Sequence, residues 1–149
     1  MDVTFSHIKA VLCDIDGTLL TSRHTVSPRT VAAIRALRER GVLFGLCTGR
    51  DAHATEAMYE LWGIEGLVDV MVGCGGAEVI DRAHGINELS YPLPGETIAH
   101  ICEHMADLPA TPVCPRDGVL YVPESNACVE HLSRVDGVPY KVVDFAEFL

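Results

Sequence analysis

The chain is poor in positive charge, with 11 Lys and Arg residues against 21 Asp and Glu residues and a formal net charge of −10 at pH 7. Binding to a nucleic-acid backbone requires clustered Lys and Arg side chains at the phosphates. The charge therefore argues against nucleic acid as a partner. It is compatible with a small phosphorylated substrate, because a bound divalent cation can reverse the local potential.

Two further features are missing: a long apolar run and a pair of cysteines spaced C-x-x-C. No apolar stretch approaches the length of a membrane-spanning helix, and no secretory signal precedes the first predicted strand. We therefore expect a cytoplasmic protein without a membrane partner. Three of the six cysteines end apolar, strand-like runs (Cys13, Cys47 and Cys74), which predicts buried free thiols in a reducing compartment rather than a disulfide framework.

What the chain does have is the composition of an ordered domain. Its 149 residues are 48% hydrophobic and 21% charged, which predicts a sizeable core rather than disorder. The strongest local signal is the apolar run Ile8–Cys13, broken only by Lys9. Such a run predicts a strand that is buried on both faces, as strands of parallel sheets are.

Two aspartates follow this run directly, in the sequence Asp14-Ile15-Asp16-Gly17-Thr18-Leu19. Ligands of open α/β sheets sit beyond the carboxyl ends of the strands, so chemistry is expected here. Two close carboxylates repel each other, and holding both ionised generally needs a cation or a proton between them. A surface hairpin closed at Asp16-Gly17 is the alternative, but it does not explain why an acid ends an apolar strand.

These residues resemble the first motif of the haloacid dehalogenase (HAD) superfamily of phosphohydrolases. The longer match, through Arg50 to Ala77, is similar to the Cof-type branch of sugar- and nucleotide-phosphate phosphatases. The resemblance implies that Asp14 is the nucleophile, which becomes an aspartyl phosphate, and that Asp16 is the general acid and then the general base. It also implies a Mg²⁺ ion bound by the carboxylate of Asp14 and the backbone carbonyl of Asp16.

A strand–helix–strand unit follows this motif. Ser27 and Pro28 suit the first positions of a helix, and the apolar run Val42–Cys47 predicts the next strand. Because parallel strands end at the same sheet edge, Thr48 is expected at the edge that carries Asp14.

The second strand is followed by Thr48-Gly49-Arg50. A hydroxyl and backbone N–H groups beside a helix N-terminus suit a phosphate, and an ordinary cap and turn is the alternative. The resemblance implies that Thr48 binds the transferring phosphoryl group. Gly49, Gly17 and Thr18 complete the substrate-binding residues that we predict.

The run Leu67–Val72 predicts a third parallel strand, and Gly73–Ala77 after it is rich in glycine. The Cof-type pattern at this point is Asn-Gly-Ala followed by a short hairpin. Gly76 and Ala77 match it, whereas Gly75 stands where asparagine is usual. A phosphate-cradling glycine loop is the alternative, but the Lys-Ser/Thr of the P-loop is missing.

Together these elements predict an α/β fold, a Rossmann-like parallel sheet with helices that forms an incomplete HAD-like core over residues 1–91. From Pro92 onward the pattern changes to an amphipathic helix over Glu96–Leu108, short strands and a helix over Ser125–Arg134. Residues 92–149 are therefore predicted to be part of an α+β cap domain. In the family, the cap covers the active site and selects the substrate.

Two later motifs of the family are not matched: a lysine that pairs with the nucleophile, and a Gly-Asp run whose acids complete the magnesium site. Two classes of function therefore stay open. The first is a magnesium-dependent phosphate monoester hydrolase of small phosphorylated metabolites. The second is a truncated, catalytically incompetent HAD-like protein that binds metal, phosphate or a partner chain without turnover. Three parallel strands without later neighbours also predict an unpaired sheet edge, which favours self-association.

Overall fold

The computed structural model describes residues 7–149, which form two compact units. The first unit comprises residues 7–52 and 58–90, and the second comprises residues 53–57 and 91–149. No helix in the described part of the chain is long and apolar enough to span a membrane.

The first unit contains a five-stranded sheet with the strand order β1-β2-β3-β4-β5. The strands are β1 (Ala10–Cys13), β2 (Leu43–Cys47), β3 (Val70–Gly73), β4 (Glu78–Asp81) and β5 (Ile86–Leu89). β1, β2 and β3 pair in parallel, and β4 and β5 add an antiparallel hairpin. The predicted α/β fold with a parallel sheet is confirmed, and the alternative hairpin at Asp16-Gly17 is excluded because the strand after β1 runs parallel to it.

Along the chain, three helices lie between β1 and β3: α1 (Pro28–Glu39), α2 (Ala52–Ala57), whose residues 53–57 belong to the second unit, and α3 (Tyr59–Trp62). α1 begins as predicted, with the Ser27 side chain accepting a hydrogen bond from the Thr30 N–H at 3.1 Å and Pro28 at the first helical position. Between Asp51 and Gly63 the chain forms two short helices, α2 and α3. The second of these places Tyr59 and Trp62 in the core.

The core of the first unit lies on one face of the sheet, between the strands and the helices. Phe44 and Leu46 of β2 are buried there together with Ile34 of α1 and Trp62 of α3. The largest completely buried side chains of the cluster are Ile15, Leu46 and Ile64.

The prediction that the first strand is buried on both faces is wrong. β1 lies at the edge of the sheet, and the side chain of Leu12 is 46% exposed. Val11 and Cys13 are half-buried because they pair with Phe44 and Leu46 on the covered face. Leu12 pairs instead with Gly45, which offers it no side chain. Gly45 itself has no room for one, because a Cβ atom there would lie 2.6 Å from the carbonyl oxygen of Val70.

The second unit is an α+β arrangement. Its strands are β6 (Cys114–Arg116), β7 (Val119–Val122) and β8 (Tyr140–Val142), and its longer helices are α4 (Gly95–His104) and α5 (Ala127–Asp136), with a short α6 (Phe145–Phe148) at the end. β6 and β7 are antiparallel, whereas β7 and β8 are parallel. Leu120 and Val138 pack together in its core.

A partly buried ion pair ties α1 to the sheet. The guanidinium of Arg38 donates to both carboxylate oxygens of Asp69, at 3.1 and 2.9 Å, and to the carbonyl of Gly66 at 2.9 Å. Asp69 also accepts a hydrogen bond from the N–H of Phe44 at 3.0 Å. Burial opposes ionisation of Asp69, but these hydrogen bonds and the charge of Arg38 outweigh it and hold the pKa of Asp69 below its usual value.

We predict that Asp69→Asn lowers the free energy of unfolding at pH 7 by about 1–3 kcal/mol, because it weakens a charge-assisted network. A carboxyl group whose pKa is lowered in the folded state stabilises the protein above its unfolded pKa of about 4, and this contribution is lost as the pH falls further. Denaturant unfolding should therefore show a difference between wild type and variant that shrinks below about pH 4. Asp107→Asn, on an exposed loop, is the matched control, and a difference independent of pH would contradict the account.

Candidate active site

The chain leaves β1 in a wide turn, Ile15–Leu19, whose backbone is not helical at Asp16 and Gly17. The N–H of Leu19 donates to the carbonyl of Asp14 at 3.1 Å. Ile15 and Leu19 are buried and anchor the turn in the core, whereas Asp14 and Asp16 are exposed. Gly17 has a φ of +76°, a left-handed conformation that other residues rarely adopt. The alternation of apolar and acidic residues thus turns both carboxyl groups away from the core.

The two aspartates have different partners. The hydroxyl of Thr18 donates to Asp14 Oδ2 at 2.9 Å. The guanidinium of Arg50 reaches Asp16 from the turn after β2, with Nε 2.9 Å from Oδ2 and Nη2 2.9 Å from Oδ1. Thr18 is a neutral partner and Arg50 a charged one, so the two carboxyl groups do not share a single counter-ion.

Thr48 stands at the end of β2 and is buried, with 6% of its surface exposed. Its N–H donates to the carbonyl of Val72 at 2.9 Å, and its hydroxyl oxygen accepts from the N–H of Arg50 at 3.2 Å. The latter contact is that of an ordinary Ser/Thr turn. Within residues 7–149 the hydroxyl makes no other hydrogen bond.

The loop after β3 is bonded to the turn after β2. The N–H of Cys74 donates to the carbonyl of Arg50 at 2.9 Å, and the N–H of Gly75 donates to that of Thr48 at 3.1 Å. Cys74 and Gly75 both have positive φ, +49° and +64°. The loop after β3 therefore supports the turn after β2 through backbone hydrogen bonds. Gly75 makes its hydrogen bond through its N–H, so no side chain is needed at this position.

Glu78 of β4 also supports this region. Its Oε2 atom accepts a hydrogen bond from the N–H of Ala52, at the start of α2, at 2.8 Å. This role of Glu78 could not be predicted from the sequence, because a glutamate in a hairpin carries no local signal of a contact with a residue 26 positions away.

The strand-end cysteines are not the buried thiols that were predicted. Cys47 and Cys74 are exposed, and Cys13 is half-buried because β1 lies at the sheet edge. Burial of the sulfur and the negative charge of Asp14 raise the pKa of Cys13. Partial burial and nearby acids, above all Glu78, raise the pKa of Cys74. Neither thiol is activated as a nucleophile at neutral pH.

The predicted site residues fall into two adjoining turns of the first unit. Asp14, Asp16, Gly17 and Thr18 share the turn after β1, and Thr48 and Gly49 lie in the turn after β2. The strand register brings the two turns to one sheet edge, because β1 and β2 are parallel and Cys13, the last residue of β1, pairs with Leu46, the last but one of β2. Arg50 connects them.

The oxygen donors at this edge are of the kind that Mg²⁺ binds. That ion keeps several waters and takes one or two carboxylates together with substrate phosphates. The carboxylate of Asp14 and the carbonyl of Asp16 fit this donor chemistry. Within the described residues, no group of three or more His, Cys, Asp and Glu side chains is arranged to hold a metal ion.

Comparisons with known proteins agree with these observations. The model of a family described as haloacid dehalogenase-like hydrolase matches residues 11–147. A Haemophilus influenzae protein named "Putative phosphatase" is 30% identical over 142 residues, which are 93% of this chain and 50% of that protein.

Two solved structures show the same fold. A haloacid dehalogenase-like hydrolase from Bacteroides thetaiotaomicron gives a TM-score of 0.79 at 18% identity, over 94% of this chain and 53% of that one. A sugar phosphatase of HAD subclass IIB gives a TM-score of 0.75 at 22% identity, over 93% of this chain and 54% of that one. The chain thus spans about half the length of each of these relatives.

We predict that Glu78→Gln lowers the free energy of unfolding by about 1 kcal/mol, because the amide is a weaker acceptor for the N–H of Ala52 than the carboxylate. Glu88→Gln, at an exposed position of the neighbouring strand, is the control. The free energy of unfolding is measured by denaturant unfolding. An equal decrease in both variants would show that the contact with Ala52 does not contribute to stability.

Proposed function

The chain belongs to the haloacid dehalogenase-like hydrolases, and from that premise we propose that it carries the nucleophile half of a phosphatase active site. The proposed reaction is hydrolysis of phosphate monoesters of small metabolites, such as sugar or nucleotide phosphates, through an aspartyl phosphate on Asp14. The observation that supports this most is the exposed turn after β1. It presents two carboxyl groups with separate partners beside the hydroxyl-bearing turn after β2.

In the first step, a carboxylate oxygen of Asp14 attacks phosphorus and the ester P–O bond breaks. Asp16 gives a proton to the departing alcohol oxygen. In the second step, Asp16 takes a proton from a water molecule, which attacks the phosphoryl group and restores Asp14. The hydrogen bond from Thr18 orients the Asp14 carboxylate and leaves its other oxygen for the attack.

Thr48 and Gly49 are proposed to bind the phosphoryl oxygens from the turn after β2, and Gly17 and Thr18 from the turn after β1. The hydroxyl of Thr48 already accepts a hydrogen bond from the N–H of Arg50. This contact fixes the hydroxyl oxygen, so the O–H group is held ready to donate.

A Mg²⁺ ion is proposed to bind the Asp14 carboxylate and the Asp16 carbonyl, and it would neutralise the charge of the incoming phosphate. These two protein ligands are few for an ion that demands octahedral geometry, so we expect weak affinity. The second unit, which comprises residues 53–57 and 91–149, is proposed to contain part of the cap. The domain limits of 1–91 and 92–149 stay predictions from the sequence. The cytoplasmic location stays a prediction.

A second candidate function is binding of metal, phosphate or a partner chain without turnover. It is favoured by the edge position of β1 and by the 46% exposure of Leu12, which leave apolar surface and backbone groups available to another chain. The predicted self-association through this edge belongs to this candidate.

Asp14→Asn should abolish the magnesium-dependent release of phosphate, because the amide is not a nucleophile, and it should leave the melting temperature nearly unchanged. Wild-type turnover is itself expected to lie well below the typical enzymatic range of roughly 1–10³ s⁻¹, since charge neutralisation is incomplete. Phosphate release from p-nitrophenyl phosphate, with and without magnesium, measures both effects. Asp107→Asn is the control, and a fully active Asp14→Asn protein would exclude the assignment.

Thr48→Val should weaken transition-state binding by roughly 1.5–3 kcal/mol, because a hydrogen bond to a charged phosphoryl oxygen is lost. Thr48→Ser keeps the hydroxyl and should retain most of the activity. A lower melting temperature with unchanged kcat/KM would instead identify Thr48 as a residue that only stabilises the turn.

A further inference from the structure

Arg50 is held in place through both its backbone and its side chain. Its N–H donates to the hydroxyl of Thr48 at 3.2 Å, and its carbonyl accepts from the N–H of Cys74 at 2.9 Å. Only 12% of its side chain is exposed. A mostly buried arginine side chain, on a backbone that is hydrogen-bonded through both its N–H and its carbonyl, is restricted in its movement.

Asp16 is the opposite case, since 52% of its side chain is exposed. Its turn is fixed by the burial of Ile15 and Leu19, but that burial fixes the backbone and not the carboxyl group. An exposed aspartate on such a turn would sample several rotamers. The two hydrogen bonds from Arg50, both 2.9 Å long, select one of them.

The pairing of the two groups is side-on and bidentate. Nε and Nη2 of Arg50 each donate to a different oxygen of Asp16, which fixes the plane of the carboxyl group as well as its position. The single hydrogen on Nε is committed to this contact.

We propose that Arg50 is a positioning residue for Asp16 and that it acts on the reaction through Asp16 rather than by binding phosphate. This inference rests on the proposed function, because it assigns Asp16 the proton transfers at the leaving oxygen. Arg50 sets the position of the Asp16 carboxyl group relative to the turn that carries Thr48. The hydroxyl of Thr48, which is proposed to bind the phosphoryl group, and the carboxyl group of Asp16, which is proposed to transfer the proton, are thereby held in one fixed arrangement.

The kinetic test compares wild type, Arg50→Gln, Asp16→Asn and the double variant in single-turnover reactions with magnesium. The substrates are glycerol 3-phosphate, whose alkoxide needs a proton, and p-nitrophenyl phosphate, whose leaving group needs little. Arg50→Gln should lower the rate of the reaction with glycerol 3-phosphate roughly 10- to 100-fold, and the rate with p-nitrophenyl phosphate much less. The reason is that misplacement of the Asp16 carboxyl group affects only the leaving group that needs a proton. The double variant should react no more slowly than Asp16→Asn. The proposal would be overturned if the rate losses of the two single variants multiplied in the double variant, or if Arg50→Gln slowed the reactions of both substrates equally.

A spectroscopic test needs no turnover. In the full chain with ¹³C-labelled aspartate, the Asp16 carboxyl resonance is assigned by its absence in Asp16→Asn. Arg50→Gln should shift and broaden it, and Arg35→Gln, which removes an exposed arginine of α1, should not. Affinity for inorganic phosphate with magnesium, measured by calorimetry, should be unchanged by Arg50→Gln. Weakened phosphate affinity, or an unmoved Asp16 resonance, would overturn the proposal.

The two tests separate the two hypotheses. A wild-type chain without magnesium-dependent turnover would count against the proposed function, while the resonance and the phosphate affinity would still decide the role of Arg50. Arg50→Lys keeps the charge but cannot donate side-on to both oxygens, so it should restore only a small part of the lost rate. Full recovery with lysine would mean that charge alone matters and would contradict positioning.

Discussion

The constraint on which the site depends is that two aspartates, Asp14 and Asp16, follow one strand with a single residue between them. In general, two carboxylates that lie close together repel each other. The structure meets this constraint by giving each group its own partner. The neutral hydroxyl of Thr18 holds Asp14, and the charged guanidinium of Arg50 holds Asp16. Asp14 thereby keeps one carboxylate oxygen for a ligand, while Asp16 is kept in place.

These contacts depend in turn on the parallel pairing of β1, β2 and β3, which brings the loops that follow them to one edge of the sheet. Backbone hydrogen bonds from the loop after β3 fix the turn after β2. The side chain of Arg50 then connects the turn after β2 to the turn after β1. The weakest point of this arrangement is β1 itself. It has a strand neighbour on one side, and Leu12 is exposed on the face that Gly45 leaves open. The chain spans about half the length of the relatives it matches.

Much of this architecture could be predicted from the sequence. The apolar runs that end at Cys13 and Cys47, with a capped helix between them, predict the parallel pair and place Asp14 and Thr48 at one edge. The partial exposure of β1 could not be predicted. An apolar run indicates that a strand is suited to a buried position, but it does not show whether other elements cover both of its faces. The contacts of Arg50 with Asp16 and of Glu78 with Ala52 were also missed. Both join residues that are far apart in the chain, and local patterns carry no information about such pairs.

The central claim is that Asp14 accepts the phosphoryl group, and locating the covalent intermediate tests it most directly. The full chain is mixed with a phosphate monoester and magnesium, quenched in acid and treated with borohydride, which reduces an aspartyl phosphate to homoserine. Peptide mass spectrometry then shows which residue was modified. The account predicts homoserine at position 14 alone, and none when substrate or magnesium is left out. Hydrolysis of the ester without a modified Asp14, or with the modification at Asp16, would contradict it.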